Sequence, residues 1–589
     1  MPEYKAPLRD MQFVLHDVFQ AETLWSELGL EDVNRELADA ILDEAAKISQ
    51  NLMSPLNRSG DEQGVSWNDT VVTTPDGFPA AYRELAEGGW GALAGDPEYG
   101  GQVIPKMLVL LFEEMSYGAN MALGLYLSLT SGAALAIASH ASEELKSRYL
   151  PDMYAGNWAG SMCLTEAHAG TDLGIIRTKA EPQADGSYSI TGNKIFITGG
   201  EHDLTENIIH LVLAKLPDAP AGSKGISLFL VPKFHVNDDG SLGERNEVSC
   251  GSVEHKMGIH ASATCVLNFD GAKGYLVGEL NRGLAAMFTM MNYERLSVGV
   301  QGLGLSSASY QSALDYAQER LQGRSPAGPE NRDGPADSLM VHPDVRRMLL
   351  TQKAYVEAGR AFAVFVGQQL DTAKFGSGEA QQRSAGLVEL LTPIAKAFLT
   401  DKGLEATIIG QQVFGGHGYV REWGMEQLVR DTRIAQIYEG ANGIQALDLM
   451  GRKIASNGGQ NMAVLIQEMR DFAAAAEGEI AEFTQPLLDA VTELETLTAT
   501  VLSAAGDDPH AIGAASVEYL HIAGLTIYAY MWARMAGVAL AADQNDAFYA
   551  GKLHTARFFM QRLLPQVKSL AESVRAGSAV LMDIPVEAF

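Results

Sequence analysis

The spacing of apolar residues changes period twice along the chain, and this change limits the folds that the chain can adopt. From residue 283 onward apolar residues recur at helical intervals, as in 345–365, and the first 159 residues show the same spacing. Between these regions, residues 160–282 alternate with period two in short runs such as 188–198 and 226–232, each bounded by turn residues. The sequence therefore predicts an α+β protein, mainly α, in which a β domain separates helical domains.

Four domains are predicted from these changes of pattern. They are an N-terminal helical domain, 1–159; a central β domain, 160–282; a C-terminal bundle of four helices, 283–455; and an additional helical extension, 456–589. The loop 325–338 contains three prolines, which helix interiors exclude, and it separates the first helix of the bundle from the second. The run L-T-I-Y-A-Y-M-W from Leu525 is too apolar to stay exposed, so we expect the extension to pack on the rest of the protein.

The net charge and the apolar runs of the chain limit which partners are expected and whether secretion or membrane insertion is expected. The net charge of -30 disfavours nucleic acid and anionic membrane surfaces, which repel an acidic protein at long range. The first residues are charged and lack a continuous apolar core, so no secretory signal is expected. Polar residues interrupt the uncharged run 121–139, and no basic anchor lies beside it, so we predict a buried helix rather than a membrane span.

The cysteines favour a reducing compartment. Cys163, Cys250 and Cys265 are widely separated and form no CxxC pair, which indicates neither a disulfide framework nor a zinc site. We therefore expect a cytoplasmic protein.

The sequence motifs of three common kinds of site, for dinucleotide binding, metal binding and a serine nucleophile, do not occur in this chain. The run G-H-G-Y-V-R from Gly416 follows a predicted helix and lacks the third glycine of a dinucleotide fingerprint. His255 and His260 do not have H-E-x-x-H spacing, and no G-x-S-x-G occurs. A nicotinamide cofactor, a catalytic metal and a serine nucleophile are therefore not predicted.

One carboxylate lies in an unusual local sequence. Glu439 precedes Gly440 and Gly443, whose missing side chains let the backbone approach a bulky ligand, and apolar residues resume helical spacing at Ile444. Taken alone, Glu439 could simply be a favourable negative charge near a helix N-terminus. For an isolated Y-E-G this is the commoner case, but the surrounding motifs favour a catalytic base.

Several motifs occur in a fixed order around this carboxylate: G-W-G-A-L-A-G from Gly89, M-C-L-T-E from Met162, G-G-H-G-Y from Gly415, and R-D-T-R-I-A-Q-I-Y-E-G from Arg430. Together they resemble the acyl-CoA dehydrogenases over about residues 88–448. The resemblance implies FAD as cofactor, an acyl-CoA thioester as substrate, and an electron-transfer flavoprotein as electron acceptor. It implies that Glu439 removes the α-proton while the β-hydrogen leaves as hydride, giving a trans-2-enoyl-CoA.

The resemblance also assigns the groups that meet the flavin ring. Met162, Leu164 and Thr165 take the positions along its polar edge. In the second flavin motif, K-I-F-I-T, Thr198 takes the position near flavin N5, whereas Phe196 replaces the tryptophan that is commoner in the family. A phenyl ring can pack on the flavin but offers less area than indole and no N–H.

The remaining assignments lie mostly in the bundle. Arg320 and Gln322 match the positions at the FAD pyrophosphate, although the aromatic residue that usually follows them is Gly323 here. The other cofactor positions are Gln412 and Gly416, which reach FAD from the neighbouring subunit in the family, and Asn442. The substrate positions are Thr171, Asn292, Arg295 and Gly440. His168, where the family more often has glycine, could touch substrate or solvent.

The branch of the family is suggested by three further features. The lead Y-K-A-P-L-R-D-M-Q-F, the long C-terminal extension and the variant E-A-H-A-G-T-D-L resemble the branch that converts 3-(methylthio)propanoyl-CoA to methylthioacryloyl-CoA in dimethylsulfoniopropionate degradation. Extended members are commonly dimers, so a homodimer is expected. Met287, Met290 and Met291 could line a pocket for the sulfur-bearing chain, but methionine on a buried helix is more often core.

Three alternatives remain open at this point. The chain could be a fatty acyl-CoA dehydrogenase of β-oxidation, with a preference anywhere from short to long chains. It could be an acyl-CoA oxidase, which passes electrons to oxygen and releases hydrogen peroxide. A DNA-associated flavoprotein relative also has a C-terminal extension, but that role requires a basic face, and this extension is acid-rich.

Overall fold

The computed structural model describes residues 3–589, and it confirms an α+β fold that is mainly α. The helices are α1 Leu8–Gln12, α2 Ala21–Glu27, α3 Arg35–Ile48, α4 Pro55–Gln63, α5 Phe78–Glu87, α6 Lys106–His140, α7 Glu143–Tyr154, α8 Gly283–Glu319, α9 Pro343–Phe375, α10 Gly378–Val413, α11 Met425–Arg433, α12 Asn442–Asp448, α13 Gln460–Ala474, α14 Ala481–Ala504, α15 Ala511–Ala541, α16 Ala547–Phe558, α17 Gln566–Arg575 and α18 Ala579–Met582. The strands are β1 Ser66–Asn68, β2 Val71–Thr73, β3 Trp158–Cys163, β4 Lys179–Pro182, β5 Tyr188–Thr198, β6 Asn207–Lys215, β7 Ile226–Pro232, β8 Phe234–Val236, β9 Leu242–Arg245, β10 Val248–Val253 and β11 Thr264–Val277.

The chain forms two compact units. The first, which we call the helical unit, contains the chain up to Ala46, residues 105–118 and residues 298–589. The second, the sheet unit, contains residues 47–104 and 119–297. Helices α6 and α8 each contribute residues to both units. The four domain boundaries drawn from the sequence stay a prediction.

The sheet unit is built on a seven-stranded sheet. Its strands follow the order β10-β11-β5-β4-β6-β3, and β7 pairs with both β11 and β6. Strand β3 runs parallel to β6, with Met162 opposite Leu211, whereas β6 and β7 are antiparallel. All of β6 except Lys215 is buried, including the polar Asn207 and His210, because apolar residues occur on both faces of the strand.

The core of the sheet unit also receives three methionines from α8. Met287, Met290 and Met291 are buried among sheet residues such as Leu211 and Leu228. They are therefore core residues in this structure, and the interpretation that they surround a sulfur-bearing substrate has no support here.

Helix α6 contains the uncharged run predicted to be a buried helix. By length and composition α6 could cross a membrane, but 83% of its most apolar window is buried inside the structure, which confirms the prediction of a buried helix. The helical geometry breaks at Asn120, where φ is -161° and ψ is 90°. The Asn120 side chain donates to the Met53 carbonyl (3.2 Å) and accepts from the Leu123 N–H (3.1 Å), so the break satisfies local backbone groups.

In the helical unit, helix α15 of the extension packs against α9 and α10. The Tyr528 ring meets the Phe398 ring edge to face, with centroids 4.8 Å apart, and the Trp532 indole N–H donates to the Ala354 carbonyl (3.2 Å). A Cβ at Gly524 would lie 2.4 Å from the Phe398 ring, so this glycine permits the close approach of the two helices. The extension therefore packs on the bundle, as its apolar runs predicted.

Candidate active site

The predicted base lies on a left-handed turn of the helical unit. Glu439 has φ +54° and Gly440 has φ +85°, in the loop between a short 3-10 turn, Ile434–Gln436, and the start of α12 at Asn442. Positive φ is uncommon for residues other than glycine. At Gly440 the positive φ favours glycine, and a Cβ there would lie 2.4 Å from the Gln445 side-chain nitrogen, so any other residue would displace the Gln445 amide.

Two side chains hold the backbone of this turn. The Gln445 amide donates to the carbonyls of Glu439 (3.2 Å) and Gly440 (3.3 Å). The Lys396 ammonium, which is fully buried on α10, donates to the Gly440 carbonyl (2.8 Å) and to Asn442 Oδ1 (2.9 Å). Sequence reasoning missed Lys396, although a lysine within the apolar run P-I-A-K-A-F-L is a usable signal.

The resemblance assigns Asn442 to the cofactor, but in the structure its side chain makes hydrogen bonds to residues of this chain. Its Nδ2 donates to Thr400 Oγ1 (2.9 Å) and to Asp401 Oδ1 (2.7 Å), while its Oδ1 accepts from Lys396. These contacts fasten the first residue of α12 to α10. Just before Glu439, the Tyr438 hydroxyl hydrogen-bonds to Gln301 of α8. The turn that carries Glu439 is thus fixed on both sides.

The first flavin motif of the sheet unit lies at an edge of the sheet. Strand β3 is the last strand in the order, and the chain leaves it after Cys163. The Thr165 carbonyl accepts from the Ile195 N–H (2.9 Å), and the Leu164 carbonyl accepts from the Lys194 ammonium (2.9 Å). The two flavin motifs, which contain Thr165 and Ile195, are therefore joined side by side.

The second flavin motif contains a β-bulge. Ile197 of β5 pairs with Cys265 of β11, but the next pair is Lys194 with Leu267, so the register shifts around Phe196. Phe196 has φ +60°, and its side chain is 59% exposed. Thr198 follows as a half-buried residue. An exposed aromatic ring on a bulge, with the Thr198 hydroxyl two residues further along the strand, fits a flat ring system that has one polar edge.

A buried ion pair stabilises this region. The Glu166 carboxylate accepts from Lys194 Nζ (2.9 Å), from the Thr178 hydroxyl (2.6 Å) and from the Arg177 N–H (2.7 Å). Burial would raise the pKa of Glu166, but the Lys194 charge and these hydrogen bonds outweigh it and lower the pKa to about 2. Both residues lie inside the predicted flavin motifs, but nothing in the sequence indicates that they form a pair.

The predicted substrate residues of the sheet unit differ in exposure. Thr171 and Asn292 are exposed, whereas Arg295 is buried, contrary to what a helical arginine suggests. Arg295 Nη1 donates to Asn292 Oδ1 (3.3 Å), which brings these two together on α8. His168 is exposed, and its Nε2 lies 3.1 Å from the Ile175 carbonyl. The histidine therefore contacts its own loop.

The two predicted pyrophosphate residues follow the end of α8 in the helical unit. Both Arg320 and Gln322 expose their side chains, while their backbones are fixed. The Gln322 N–H donates to the Asp337 carbonyl (2.9 Å), and the Arg320 carbonyl accepts from the Leu339 N–H (3.0 Å). An exposed guanidinium on a fixed backbone fits a pyrophosphate, because its planar fork matches phosphate oxygens.

Gln412 and Gly416, the positions that reach the neighbouring subunit's FAD in the family, lie at the surface near the end of α10. A Cβ at Gly416 would meet nothing within 4 Å, so the glycine is not required by contacts within this chain. Nearby, Tyr419 is 85% exposed. Within its own unit, each of two exposed side chains suits one part of FAD: the Phe196 ring offers an aromatic face for the flavin, and the Arg320 guanidinium suits a phosphate.

Comparisons with known proteins identify the family and the fold. Four domain families match the chain in order: acyl-CoA dehydrogenase N-terminal domain, residues 37–157; middle domain, 161–272; C-terminal domain, 281–454; and acetyl-CoA dehydrogenase C-terminal like, 465–585. A similar solved structure is acyl-CoA dehydrogenase complexed with FAD from Bacillus anthracis, with TM-score 0.73, 21% identity, and coverage of 93% of this chain and 89% of that chain.

Two relatives match over nearly their whole length. The 3-methylmercaptopropionyl-CoA dehydrogenase of Ruegeria pomeroyi is 40% identical over 95% of this chain and 96% of its own length. A butyryl-CoA dehydrogenase of Syntrophomonas wolfei is 34% identical over 100% of this chain and 99% of its own. The chain therefore belongs to the acyl-CoA dehydrogenase family and is an FAD-dependent oxidoreductase of acyl-CoA thioesters.

Proposed function

We propose that this enzyme converts 3-(methylthio)propanoyl-CoA to methylthioacryloyl-CoA with Glu439 as the catalytic base. The observation that carries the base assignment is the left-handed turn, in which hydrogen bonds hold the backbone of Glu439 in a conformation that residues other than glycine rarely adopt. The substrate assignment is supported by the 40% identity to a 3-methylmercaptopropionyl-CoA dehydrogenase over 95% of the chain.

The reaction divides into a proton transfer and a hydride transfer. The Glu439 carboxylate takes the proton from Cα of the thioester, the electron pair of that bond becomes the new Cα–Cβ π bond, and the Cβ hydrogen leaves with its own electron pair. FAD, when bound, supplies the acceptor for that hydride. The rigid turn keeps the carboxylate in place, which avoids the entropic cost of orienting a base in the transition state.

The other predicted residues receive roles in binding. We assign Met162, Leu164, Thr165, Phe196 and Thr198 to the flavin ring. Thr171, Asn292, Arg295 and Gly440 are assigned to the substrate. The assignments of Arg320 and Gln322 to the pyrophosphate rest on their exposed side chains. Asn442 acts through the Glu439 turn, since its side chain is occupied by α10.

We propose further that the enzyme is a cytoplasmic homodimer that passes its electrons to an electron-transfer flavoprotein. The exposed Gln412, Gly416 and Tyr419 support a subunit contact at the end of α10. Light scattering coupled to size exclusion should give twice the chain mass of 63.2 kDa. A monomer that retains FAD and activity would overturn the dimer. Consumption of oxygen with peroxide release at the full turnover rate would instead indicate an oxidase.

A chain-length series tests the substrate. We expect kcat/KM with an artificial electron acceptor to be highest for 3-(methylthio)propanoyl-CoA, lower for butyryl-CoA and lowest for palmitoyl-CoA. One methylene in an apolar pocket is worth about 1 to 3 kcal/mol, so neighbouring chain lengths should separate measurably. The butyryl-CoA dehydrogenase similarity, 34% over the whole chain, makes butyryl-CoA the second candidate. A maximum at long chains would refute both.

Glu439→Gln tests the base. The amide keeps the shape of the side chain but cannot accept the α-proton, so substrate-driven flavin bleaching should slow by about 10²- to 10⁴-fold while FAD stays bound. Glu389→Gln, at a carboxylate that is 65% exposed on α10, is the matched control and should bleach at the wild-type rate. Near-normal bleaching in Glu439→Gln would mean that another group is the base.

A further inference from the structure

A histidine of the C-terminal extension contacts the bundle close to the Glu439 turn. His521, on α15, places Nε2 3.0 Å from Oδ2 of Asp401 on α10. An ionised carboxylate can only accept, so the histidine donates this bond. The Phe398 ring meets the imidazole edge to face, with centroids 5.7 Å apart, and thereby limits its rotation. The histidine is thus held against Asp401 by both a hydrogen bond and packing.

The other carboxylate oxygen of Asp401 accepts hydrogen bonds from residues on both sides of the Glu439 turn. Its Oδ1 accepts from the Gln436 amide (2.7 Å), three residues before Glu439, and from the Asn442 amide (2.7 Å), three residues after it. One carboxylate therefore spans the segment that carries the base. The orientation of the Asp401 carboxylate is set by the two amides that donate to Oδ1 and by His521, which donates to Oδ2.

The charge state of Asp401 suits this arrangement. Burial would raise the pKa of Asp401, but the hydrogen bond and charge of His521 and the bonds from Asn442 and Gln436 outweigh it and lower the pKa below its ordinary value. Asp401 is therefore an acceptor at neutral pH, and every bond that it makes is charge-assisted.

We infer that His521 is a positioning residue for the catalytic base, through which the C-terminal extension orders the Glu439 turn by way of Asp401, Gln436 and Asn442. This inference rests on the proposed role of Glu439. It gives the extension a function in catalysis in addition to covering the apolar faces of α9 and α10.

Three variants of the full-length FAD-loaded enzyme test the inference. His521→Leu removes the donor and keeps an apolar contact for Phe398. His521→Gln retains an amide N–H that can reach the position of Nε2. His554→Leu changes an exposed histidine on α16 of the same extension and serves as the matched control.

Hydrogen exchange of the peptide spanning residues 434–446 measures the ordering directly. In His521→Leu we expect exchange in this peptide to accelerate, while FAD content and the remaining peptides stay at wild-type levels. For turnover we expect kcat to fall by about tenfold to a hundredfold, because small displacements of a reacting group are costly, with KM changed by less than about threefold. His521→Gln should restore both readouts, and His554→Leu should match wild type.

The outcomes separate this inference from the proposed function. Unchanged exchange in His521→Leu, a wild-type kcat, or an equal loss in His521→Gln would each overturn the positioning role. A loss of kcat that only parallels loss of FAD would do the same. If Glu439→Gln still reduces flavin normally, the base assignment fails, whereas the exchange data still decide whether His521 orders the turn.

Discussion

At Glu439 the backbone occupies a region that costs a non-glycine residue about 1 to 3 kcal/mol, and it keeps this conformation because neighbouring groups determine it. The carbonyls of Glu439 and Gly440 are held by Gln445 and Lys396. A base on a flexible loop would lose orientation entropy in every turnover, so a strained but braced residue suits a proton transfer that needs fixed geometry.

The buried ion pair of Glu166 and Lys194 joins the two flavin motifs, and substitution of Glu166 measures its contribution to stability. Glu166→Gln should destabilise the protein by about 3 to 5 kcal/mol, because it leaves the ammonium of Lys194, which is fully buried, without its charge partner. Glu181→Gln, at an exposed position on β4, should change stability by less than about 0.5 kcal/mol. Urea unfolding midpoints at neutral pH compare the two. Equal midpoints would show that the pair contributes no net stability.

The lowered pKa of Glu166 predicts that its contribution to stability depends on pH. The folded-state pKa of Glu166, about 2, lies below the ordinary value of 4.5, so its contribution is complete above about pH 4.5 and is lost as the pH falls toward 2. The difference in melting temperature between wild type and Glu166→Gln should therefore shrink across this window. A difference that stays constant down to pH 2.5 would contradict the depressed pKa.

At the scale of elements, helix α15 decides how the extension attaches. It is apolar around most of its circumference, which is typical of a helix surrounded by other helices. Its contacts with α10 depend on a missing side chain at Gly524, where Phe398 occupies the space. The attachment therefore depends on shape as well as on apolar area.

Two glycines of α15 provide a matched comparison. Gly524→Ala should destabilise by about 1 to 3 kcal/mol, because its Cβ would lie 2.4 Å from the Phe398 ring. Gly513→Ala, where a Cβ meets nothing within 4 Å, should instead stabilise by about 0.5 to 1 kcal/mol through helix propensity. Thermal unfolding distinguishes the two directions. Stabilisation by both substitutions would mean that α15 can shift away from α10 at little cost.

At the scale of the whole molecule, segments from distant parts of the chain meet in a buried charge network of the helical unit. Asp10 of α1 pairs with Arg360 of α9 and with Lys552 of α16. Arg360 Nε also donates to Glu114 (2.9 Å), and Lys552 to Glu357 (2.9 Å). Burial would raise the pKa of Asp10, but the charges of Lys552 and Arg360 lower it to about 2. The network joins the N-terminal lead, the bundle and the extension.

Removing the Lys552 charge from this buried network should lower the stability of the protein. Lys552→Met preserves side-chain volume but leaves Asp10 and Glu357 short of positive charge, so we expect a loss of about 3 to 5 kcal/mol. Lys568→Met, at an exposed position on α17, is the control and should be nearly neutral. The comparison uses urea midpoints, since unfolding of a chain of this size need not be two-state. Matching midpoints would show that the network is replaceable by apolar packing.

The sequence by itself determined the α+β class, the run of strands, the buried helix in α6 and the family, because periodicity and motif spacing are properties of neighbouring residues. The same motifs, through the family resemblance, drew attention to Glu439 and Phe196. Packing alone decided that Met287 is core, that Arg295 is buried and that Asn442 binds α10.

Only the tertiary structure could decide which polar side chains meet. His521 and Asp401 are 120 residues apart, Lys396 and Gly440 are 44 apart, and Lys194 and Glu166 are 28 apart. The local sequence does not show which partner each residue meets, and a buried charge gains its role from the partner that folding brings within hydrogen-bonding distance. The motifs around Glu439 are therefore readable in the sequence, whereas the contacts that support its turn depend on long-range packing.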